Sequence, residues 1–385
     1  MHIARRMADI APFHVMDLMA RAKALEAQGR SIIHMEVGEP DFPTPEPIVA
    51  AAQRFISGGQ VFYTNALGLP ALREAIAGHY AQRYGVSVAP SRIVITSGAS
   101  AALLLALGVT IDPGDEVLLA DPGYPCNRHF VRMFEGRARG IAVGPDTDYQ
   151  PTAGQVAEHW SPATRALLVA SPSNPTGTLL GRADLVALWQ AVRERGGSLL
   201  VDEIYHGLTY GVAAETALSV ADDIFVINSF SKYFGMTGWR LGWLIVPEGY
   251  IREVEKLAQN LYIAPPTPAQ HAALAAFEPE TTAILEARRK EFQARRDVLL
   301  PGLAGLGFEV ATKPRGAFYV YAGLGSLAED SYRFALDLVE RGGVAATPGL
   351  DFGTNAPARH MRFAYTVTRE KLAEGIDRIG RFLSG

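Results

Sequence analysis

The chain has 385 residues, 48% of them apolar, enough to bury a sizeable core and to form one large domain with a smaller one. Its 36 basic and 40 acidic side chains leave a net charge of −4 with no dominant basic block, which argues against a nucleic-acid partner held through phosphates. No apolar run reaches the ~18 residues of a membrane span; the single cysteine, Cys126, excludes an internal disulfide, and Met1 to Ile10 holds no apolar signal core, so a reducing, cytoplasmic location is expected.

Residues 12–29 predict a helix, with Val15, Leu18, Ala22 and Leu25 on one face and Gly29 as its stop. The run Ile32 to Val37 predicts a short strand. The proline-rich segment Gly38-Glu39-Pro40-Asp41-Phe42-Pro43-Thr44-Pro45 fits neither helix nor central strand and predicts a crossing or pocket-lining loop. Residues 47–57 and 70–84 read as helices, and the loop between them opens on Tyr63. From residue 92 the pattern changes to short apolar runs at Arg92–Thr96, Glu116–Ala120, Ala166–Ala170, Ser198–Val201, Ile224–Ile227 and Leu241–Val246. Helical stretches such as 99–108 and 182–195 separate several of them. Unalternated strands joined through helices predict an α/β domain whose mainly parallel sheet is flanked by helices.

Residues 251–300 read as helical with one interruption at Ala264-Pro265-Pro266-Thr267-Pro268. The charged stretch Thr281 to Leu300 suits a helix that connects to a second domain. Strand-like runs follow at Phe308–Ala311, Ala317–Tyr321 and Met361–Ala364, with a helix near 331–341 between the last two. A closing helix carries Leu372, Ile376, Ile379 and Leu383 on one face. This mixture predicts a smaller α+β domain built from both termini. The expected division is a large domain over 46–285 and a small domain over 1–45 with 286–385.

In open α/β sheets, ligands sit at the carboxyl ends of the strands. The residues just past each run are Ser97-Gly98-Ala99-Ser100, Asp121 to Pro125, Ser171 to Gly177, Asp202-Glu203-Ile204-Tyr205 and Ser229 to Lys232. Lys232 stands out: the chain has six lysines, and it is the only one between residues 24 and 255. An amine flanked by Ser229 and Ser231 can form an imine with a carbonyl. Ser97-Gly98-Ala99-Ser100 turns a strand into a helix whose free N–H groups suit a phosphate. Ser229 and Arg240 add a hydroxyl and a fixed charge. Asp202 ends an apolar strand and needs a cationic partner. Tyr124 offers a face for stacking, and Asn174 and Tyr205 offer donors to a phenolate oxygen. A ligand with a phosphate, a protonatable aromatic ring, a phenolic oxygen and an aldehyde answers all of these, and pyridoxal 5′-phosphate has the four.

These stretches resemble the class I/II aminotransferases of the fold type I pyridoxal-phosphate enzymes, and the resemblance covers essentially the whole chain. It is carried by Ser229-Phe230-Ser231-Lys232 with Gly238-Trp239-Arg240-Leu241-Gly242, by Asn174-Pro175-Thr176-Gly177, by Asp202-Glu203-Ile204-Tyr205, by Gly38-Glu39-Pro40-Asp41-Phe42, and by Arg362 within His360-Met361-Arg362-Phe363-Ala364. It implies the aspartate aminotransferase fold, with Lys232 as covalent anchor and proton carrier. It further implies that Asp202 pairs with the ring nitrogen, that Asn174 and Tyr205 bond the ring oxygen, and that Tyr124 stacks on the ring. The backbone of Ala99 and Ser100, with Ser229 and Arg240, would hold the phosphate. Arg362 would clamp the substrate carboxylate, assisted by Asn174 and the backbone of Gly38. Tyr63 would reach the phosphate of a neighbouring subunit, which implies a homodimer with shared sites. The implied reaction moves an amino group from an L-amino acid to a 2-oxo acid with ping-pong kinetics.

Ser100 departs from the family. The bacterial-type aspartate enzymes carry there a lysine that reads the distal carboxylate. A neutral or aromatic donor, covered by Phe13 and Val15, is therefore expected over aspartate unless a cation such as Arg128 substitutes. A β-lyase or decarboxylase of the same fold is the competing reading, since Lys232 and Arg362 serve it equally; lyases release pyruvate and ammonia without an acceptor. A cofactor-sensing regulator is a remoter one, because such proteins carry an N-terminal DNA-binding domain and only some 30 residues precede the first strand here. His206 reads as a core histidine and Cys126 as a small buried residue. His129, Arg128 and Arg132 are open between pocket and interface.

Overall fold

Where apolar runs lack alternation, both strand faces must be covered, and the structure shows how this is done. The computed structural model describes residues 2–385. It contains eleven strands: β1 Ile33–Met35, β2 Ile93–Thr96, β3 Glu116–Asp121, β4 Arg137–Ala142, β5 Thr164–Ala170, β6 Ser198–Asp202, β7 Phe225–Ser229, β8 Gly242–Ile245, β9 Tyr319–Gly323, β10 Val344–Pro348 and β11 His360–Ala364. Seven form one sheet in the order β2-β8-β7-β6-β5-β3-β4. All its pairings are parallel except those of β8 with β2 and β7. β2, β7 and β8 are buried along their whole length, as a sheet sandwiched between helices requires. The protein is thus a mixed α/β structure with a mostly parallel sheet flanked by helices.

A second sheet has the order β1-β10-β11-β9. β1 lies parallel to β10, with Ile33 opposite Val344, so the chain's first strand pairs with one more than 300 residues later. The helix His14–Ala27 buries Val15, Leu18, Ala22 and Leu25 and packs on β10. The connecting helix runs longer than expected, from Pro279 to Gly305.

Three expectations need correction. β4 was not foreseen: Arg137-Ala-Arg-Gly-Ile-Ala is an edge strand with one buried residue, so it shows neither an apolar run nor an alternation, and its arginines discourage edge-to-edge pairing. β10 was not foreseen either, because Val-Ala-Ala-Thr-Pro lacks the bulky residues that mark strands, although every position is buried. Phe308–Ala311 forms no strand; it contributes one isolated bridge, Glu309 to Gly323.

The two sheets are tied across the cleft between them. Arg295 of the long helix makes a two-pronged contact with Asp41 at 2.7 and 3.1 Å and lies over the Phe42 ring at 4.7 Å. Thr44 Oγ1 donates to the Gly235 carbonyl and accepts from Trp239 Nε1. The segment Gly38–Pro45 is therefore pinned between the long helix and the loop that carries Lys232. At the end of β3, Asp121 accepts from the backbone N–H groups of Thr354 and Asn355.

Candidate active site

A cavity of about 400 Å³ opens at the carboxyl ends of β2, β3, β5, β6 and β7, between the two sheets. That is the size range of small-molecule sites. Its walls include Gly38, Ala99, Ser100, Tyr124, Asn174, Asp202, Tyr205, Lys232, Arg240 and Arg362. Ten of the fourteen expected site residues thus converge from separate strand ends. Ser97, Gly98 and Ser229 are not among the walls. Tyr63 is 80% exposed and does not face this cavity.

Each position has a local cause. β2 ends in Ser97, and Gly98, at φ +79°, turns the chain into the helix Gly98–Gly108. A Cβ on Gly98 would stand 2.8 Å from Arg240 Nη2, so the glycine makes room for that guanidinium at the helix N-terminus. Ala99, Ser100 and Arg240 line the same end of the cavity, where helix amides and a cation favour an anion. Arg240 itself has φ +53° and bonds Thr237 O at 3.1 Å. Ser229 is buried, and its hydroxyl lies 3.0 Å from Leu241 O and 2.9 Å from Ser231 Oγ. It braces the turn from behind, while Ser231 reaches the wall. Tyr124 precedes the helix Pro125–Met133, and burial raises its pKa.

Lys232 follows β7, and its Nζ donates to the Gly38 carbonyl at 2.7 Å. Burial lowers its pKa from 10.5 to about 8, against the pull of Glu39; Arg362 and Arg240 lower it further. Asp202 ends β6 and is 5% exposed. One backbone N–H, from Ile204 at 3.0 Å, reaches its Oδ1, and burial raises its pKa from 3.8 to about 6. Arg362 comes from β11. Its Nη1 donates to Asn174 Oδ1 at 2.9 Å, and its Nη2 donates to Glu36 O at 2.7 Å. Its Nε is buried with no partner.

The remaining singled-out residues separate cleanly. Arg128 donates to the Asp351 carbonyl at 2.9 Å and lines a neighbouring cavity of about 170 Å³, not this one. Arg132 pairs with Asp9 near the surface. His206 is buried beside Glu203 and Tyr84, and burial lowers its pKa to about 3, so it stays neutral. Cys126 is half-buried, and burial raises its pKa. Among the described residues no cluster of histidine, cysteine, aspartate and glutamate is set to hold a metal.

Sequence reasoning missed several walls: Met16, Met19, Glu36, Leu103 and Tyr319. Tyr319 bonds Tyr205 through their hydroxyls at 2.9 Å, and the Arg362 guanidinium lies 4.3 Å from the centre of its ring. Nothing local distinguishes Tyr319 from its aromatic neighbours; its place follows from the pairing of β9 with β11. The helical period does place Met16 and Met19 near Val15, and that was the available signal.

The sequence matches the family Aminotransferase class I and II over residues 30–379. The chain belongs to that family. It is similar to a valine–pyruvate aminotransferase of Mycobacterium tuberculosis, 39% identical over 378 residues that span 98% of this chain and 97% of that one. It is similar to an aspartate/prephenate aminotransferase of Thermus thermophilus, 34% identical over 99% of this chain and 98% of that one. The solved structure of the Thermus thermophilus aspartate aminotransferase with maleate superposes with a TM-score of 0.94, at 34% identity over 99% of this chain and 100% of that one. The protein is a transaminase with the aspartate aminotransferase fold.

Class I and II aminotransferases imply pyridoxal 5′-phosphate, and the residues present fit it. Asp202 is a buried carboxylate without a salt bridge among the described residues, a complement to a cationic ring nitrogen. The helix N-terminus with Arg240 is an anion cradle kept open by a glycine. A lysine with a lowered pKa stands between them.

Proposed function

We propose that the protein is a pyridoxal-phosphate aminotransferase that takes its amino group from a neutral or aromatic L-amino acid in preference to aspartate and passes it to a 2-oxo acid in two separate half-reactions. The observation that carries the donor class is the wall around Arg362. Among the described residues lining the cavity, the lysines and arginines are Lys232, Arg240 and Arg362. With Lys232 as the reacting amine, Arg240 at the phosphate end and Arg362 on the α-carboxylate, no cation of this chain remains for a distal carboxylate. Ser100 stands in the wall, and Arg128, the possible substitute, is held by Asp351 outside it. Phe13, Val15, Met16, Met19 and Leu103 supply an apolar surface instead. The valine–pyruvate enzyme among the relatives supports the same reading.

When bound, pyridoxal phosphate supplies a carbonyl that condenses with amines and a cationic ring that accepts the electrons of the broken Cα–H bond. The chain's own residues would do the rest. Asp202 would hold the ring proton, since a carboxylate in this buried position is strongly drawn to a cation. Arg362, oriented by Asn174 and the Glu36 carbonyl, would grip the substrate carboxylate. Lys232, with a pKa of about 8, is a base near neutrality and would carry the α-proton from one carbon to the next. Ser97, Gly98, Ala99, Ser100, Ser229 and Arg240 would secure the phosphate end, Tyr124 would cover the ring, and Tyr205 and Asn174 would hold its oxygen.

Ile56, Val61, Phe62, Tyr63, Leu261 and Ile263 are exposed apolar residues, Phe62 at 73%. Thr267 Oγ1 donates to Phe62 O, which places the strip 61–63 beside the segment that follows Ile263. This surface supports a homodimer in which Tyr63 serves the other subunit's phosphate. A division into residues 46–285 and 1–45 with 286–385 accords with the two sheets. A cytoplasmic location accords with a lone thiol and with the lack, among the described residues, of a helix long and apolar enough to cross a membrane.

The test is a half-reaction screen. Single amino acids are added to the cofactor-loaded enzyme without an acceptor, and loss of the yellow absorbance is followed with the oxo acid released. Valine, leucine, methionine, alanine or phenylalanine should react faster than aspartate. Aspartate reacting at least as fast would overturn the donor class. Pyruvate and ammonia released without an acceptor would favour the lyase reading. Lys232→Ala should abolish both the colour shift and turnover.

A further inference from the structure

The wall that would cover a substrate side chain depends on a carboxylate outside the cavity. Phe13, Val15, Met16 and Met19 reach the cavity from the first turns of the helix His14–Ala27 and from the residue before it. Farther along, the helix buries Leu18, Ala22 and Leu25 and packs on β10. Its first turn has no cap of its own, because Phe13 at the N-cap position carries no hydrogen-bonding side chain. Asp351, 337 residues beyond His14, supplies one. Its Oδ1 accepts the His14 N–H at 2.8 Å, and its Oδ2 accepts the Val15 N–H at 2.9 Å. Asp351 is buried, and burial raises its pKa while the two N–H groups oppose the rise. A buried carboxylate on the positive end of a helix is a stronger tie than the exposed pairs Arg132–Asp9 and Arg6–Glu135, which hold the residues before the helix.

The turn that carries Asp351 is held on several sides. It spans Gly349–Asp351, between β10 and β11. Arg128 Nη2 donates to the Asp351 carbonyl at 2.9 Å, and the Gly123 N–H donates to the Phe352 carbonyl at 2.8 Å. The Arg362 guanidinium lies 4.9 Å from the centre of the Phe352 ring. The side chain of Asp351 thus fixes the apolar wall, while its neighbour packs against the arginine proposed to grip the substrate carboxylate. One turn joins the two ends of the substrate site and sets the space between them. A wall held at a fixed distance discriminates among apolar side chains, whereas a wall free to shift accepts them more evenly. Arg128 bonds the main chain of Asp351, so a change of the Asp351 side chain leaves that contact available.

We infer that Asp351 is a positioning residue for donor specificity: it holds the first turn of the helix His14–Ala27, and with it the apolar wall, at a set distance from Arg362, and so favours bulky apolar donors over small ones. This rests on the aminotransferase reading with a neutral donor and deepens it. Asp351 lines no part of the cavity, so its loss should appear in the binding of bulky donors and not in the limiting rate of the half-reaction.

The experiment follows the half-reaction of the loaded enzyme with leucine, phenylalanine, alanine and aspartate, and separates the apparent dissociation constant from the limiting rate. In parallel, binding of the unreactive analogues 4-methylpentanoate and propanoate is measured by calorimetry. The unaltered enzyme should prefer leucine or phenylalanine to alanine by at least roughly 10-fold, since one methylene in an apolar pocket is worth that much. Asp351→Ala should cut the preference roughly 10-fold through the dissociation constant, and the preference for 4-methylpentanoate over propanoate should fall with it. Asp351→Asn, which keeps the shape and one acceptor oxygen, should lose part of the preference and decides the matter if the alanine variant fails to fold. Arg132→Ala removes only an exposed tie of the same segment and should leave the preference as it is. Alanine handled as well as leucine and phenylalanine by the unaltered enzyme overturns the assignment. So does a preference unchanged in Asp351→Ala, or in Asp351→Asn where that variant stands alone, a loss confined to the limiting rate, or an equal loss in Arg132→Ala. Aspartate reacting faster than both leucine and phenylalanine in the unaltered enzyme would instead overturn the neutral-donor reading beneath it.

Discussion

Replacing Asp202 with asparagine separates what the cofactor needs from what the fold prefers. The carboxylate is buried at the end of β6 with one backbone N–H for company. Burial raises its pKa from 3.8 to about 6, only partly opposed by the Ile204 N–H and by Lys232. A carboxyl group with a raised folded-state pKa costs stability once the pH passes its unfolded value. The cost is complete above the folded value, so here it grows between 3.8 and about 6. A shift of about two units corresponds to about 3 kcal/mol. Cofactor-free Asp202→Asn should therefore be more stable than the cofactor-free parent by that order above this window, and equal to it below. With the unfolding entropy typical per residue, the gain in Tm is roughly 4 °C for a chain of this length. Adding pyridoxal phosphate should reverse the order, because the parent gains a ring cation to pair with and the asparagine variant does not. Thermal scans of both proteins, with and without cofactor and on both sides of the window, read this directly. A cofactor-free asparagine variant less stable than the parent above the window would refute the reasoning, and so would a gain that does not change with pH.

Gly98→Ala should fold yet hold the cofactor roughly tenfold more weakly, the value of one charge-assisted hydrogen bond, because its Cβ would press on Arg240 Nη2 from a backbone at φ +79°. Equilibrium dialysis against free cofactor measures it. Arg362→Lys loses the planar fork that spans Asn174 and the Glu36 carbonyl, and kcat/KM should fall about 10²- to 10⁴-fold for all donors alike. Steady-state kinetics with two unrelated donors check both the size and the uniformity. For His34, hydrogen bonding to Glu36 is the largest cause of a pKa raised from 6.5 to about 9, with burial opposing it. The stabilisation is fully present below 6.5 and is lost as pH rises through about 9. His34→Gln should accordingly be less stable than the parent at the lower end, with the gap closing at the upper end, as denaturant titrations across that range would show.

Most of the large sheet was legible because buried parallel strands advertise themselves as unbroken apolar runs that end in polar or special-geometry residues. Lys232, Asp202 and Asn174 all lie just at or past such ends, and the structure brings them to one cavity. The strands that escaped notice lacked that signature for opposite reasons. β4 is an arginine-bearing edge, and β10 is buried but built from small residues. Tyr319 and Glu36 were illegible for another reason. Their places depend on pairing between segments far apart, β9 with β11 and β1 with β10. The donor class shared that difficulty, since it rests on which side chains a helix from one end of the chain lays over a cavity built by its middle.

The pairing of β1 with β10 also bears on the order in which the protein can be made. The ribosome releases Ile33 more than 300 residues before Val344, so β1 and the helix before it wait without their sheet partner while the seven-stranded sheet is synthesised. Lys232 emerges long before Arg362, and the arginine proposed to grip the substrate takes its place only when β11 has left the exit tunnel. A nascent chain can thus place Arg240 and Lys232, the residues proposed for the phosphate and the reacting amine, well before Arg362. Premature termination anywhere before β10 would leave the apolar face of the N-terminal helix without the strand it packs on, a recognisable target for chaperones and proteases.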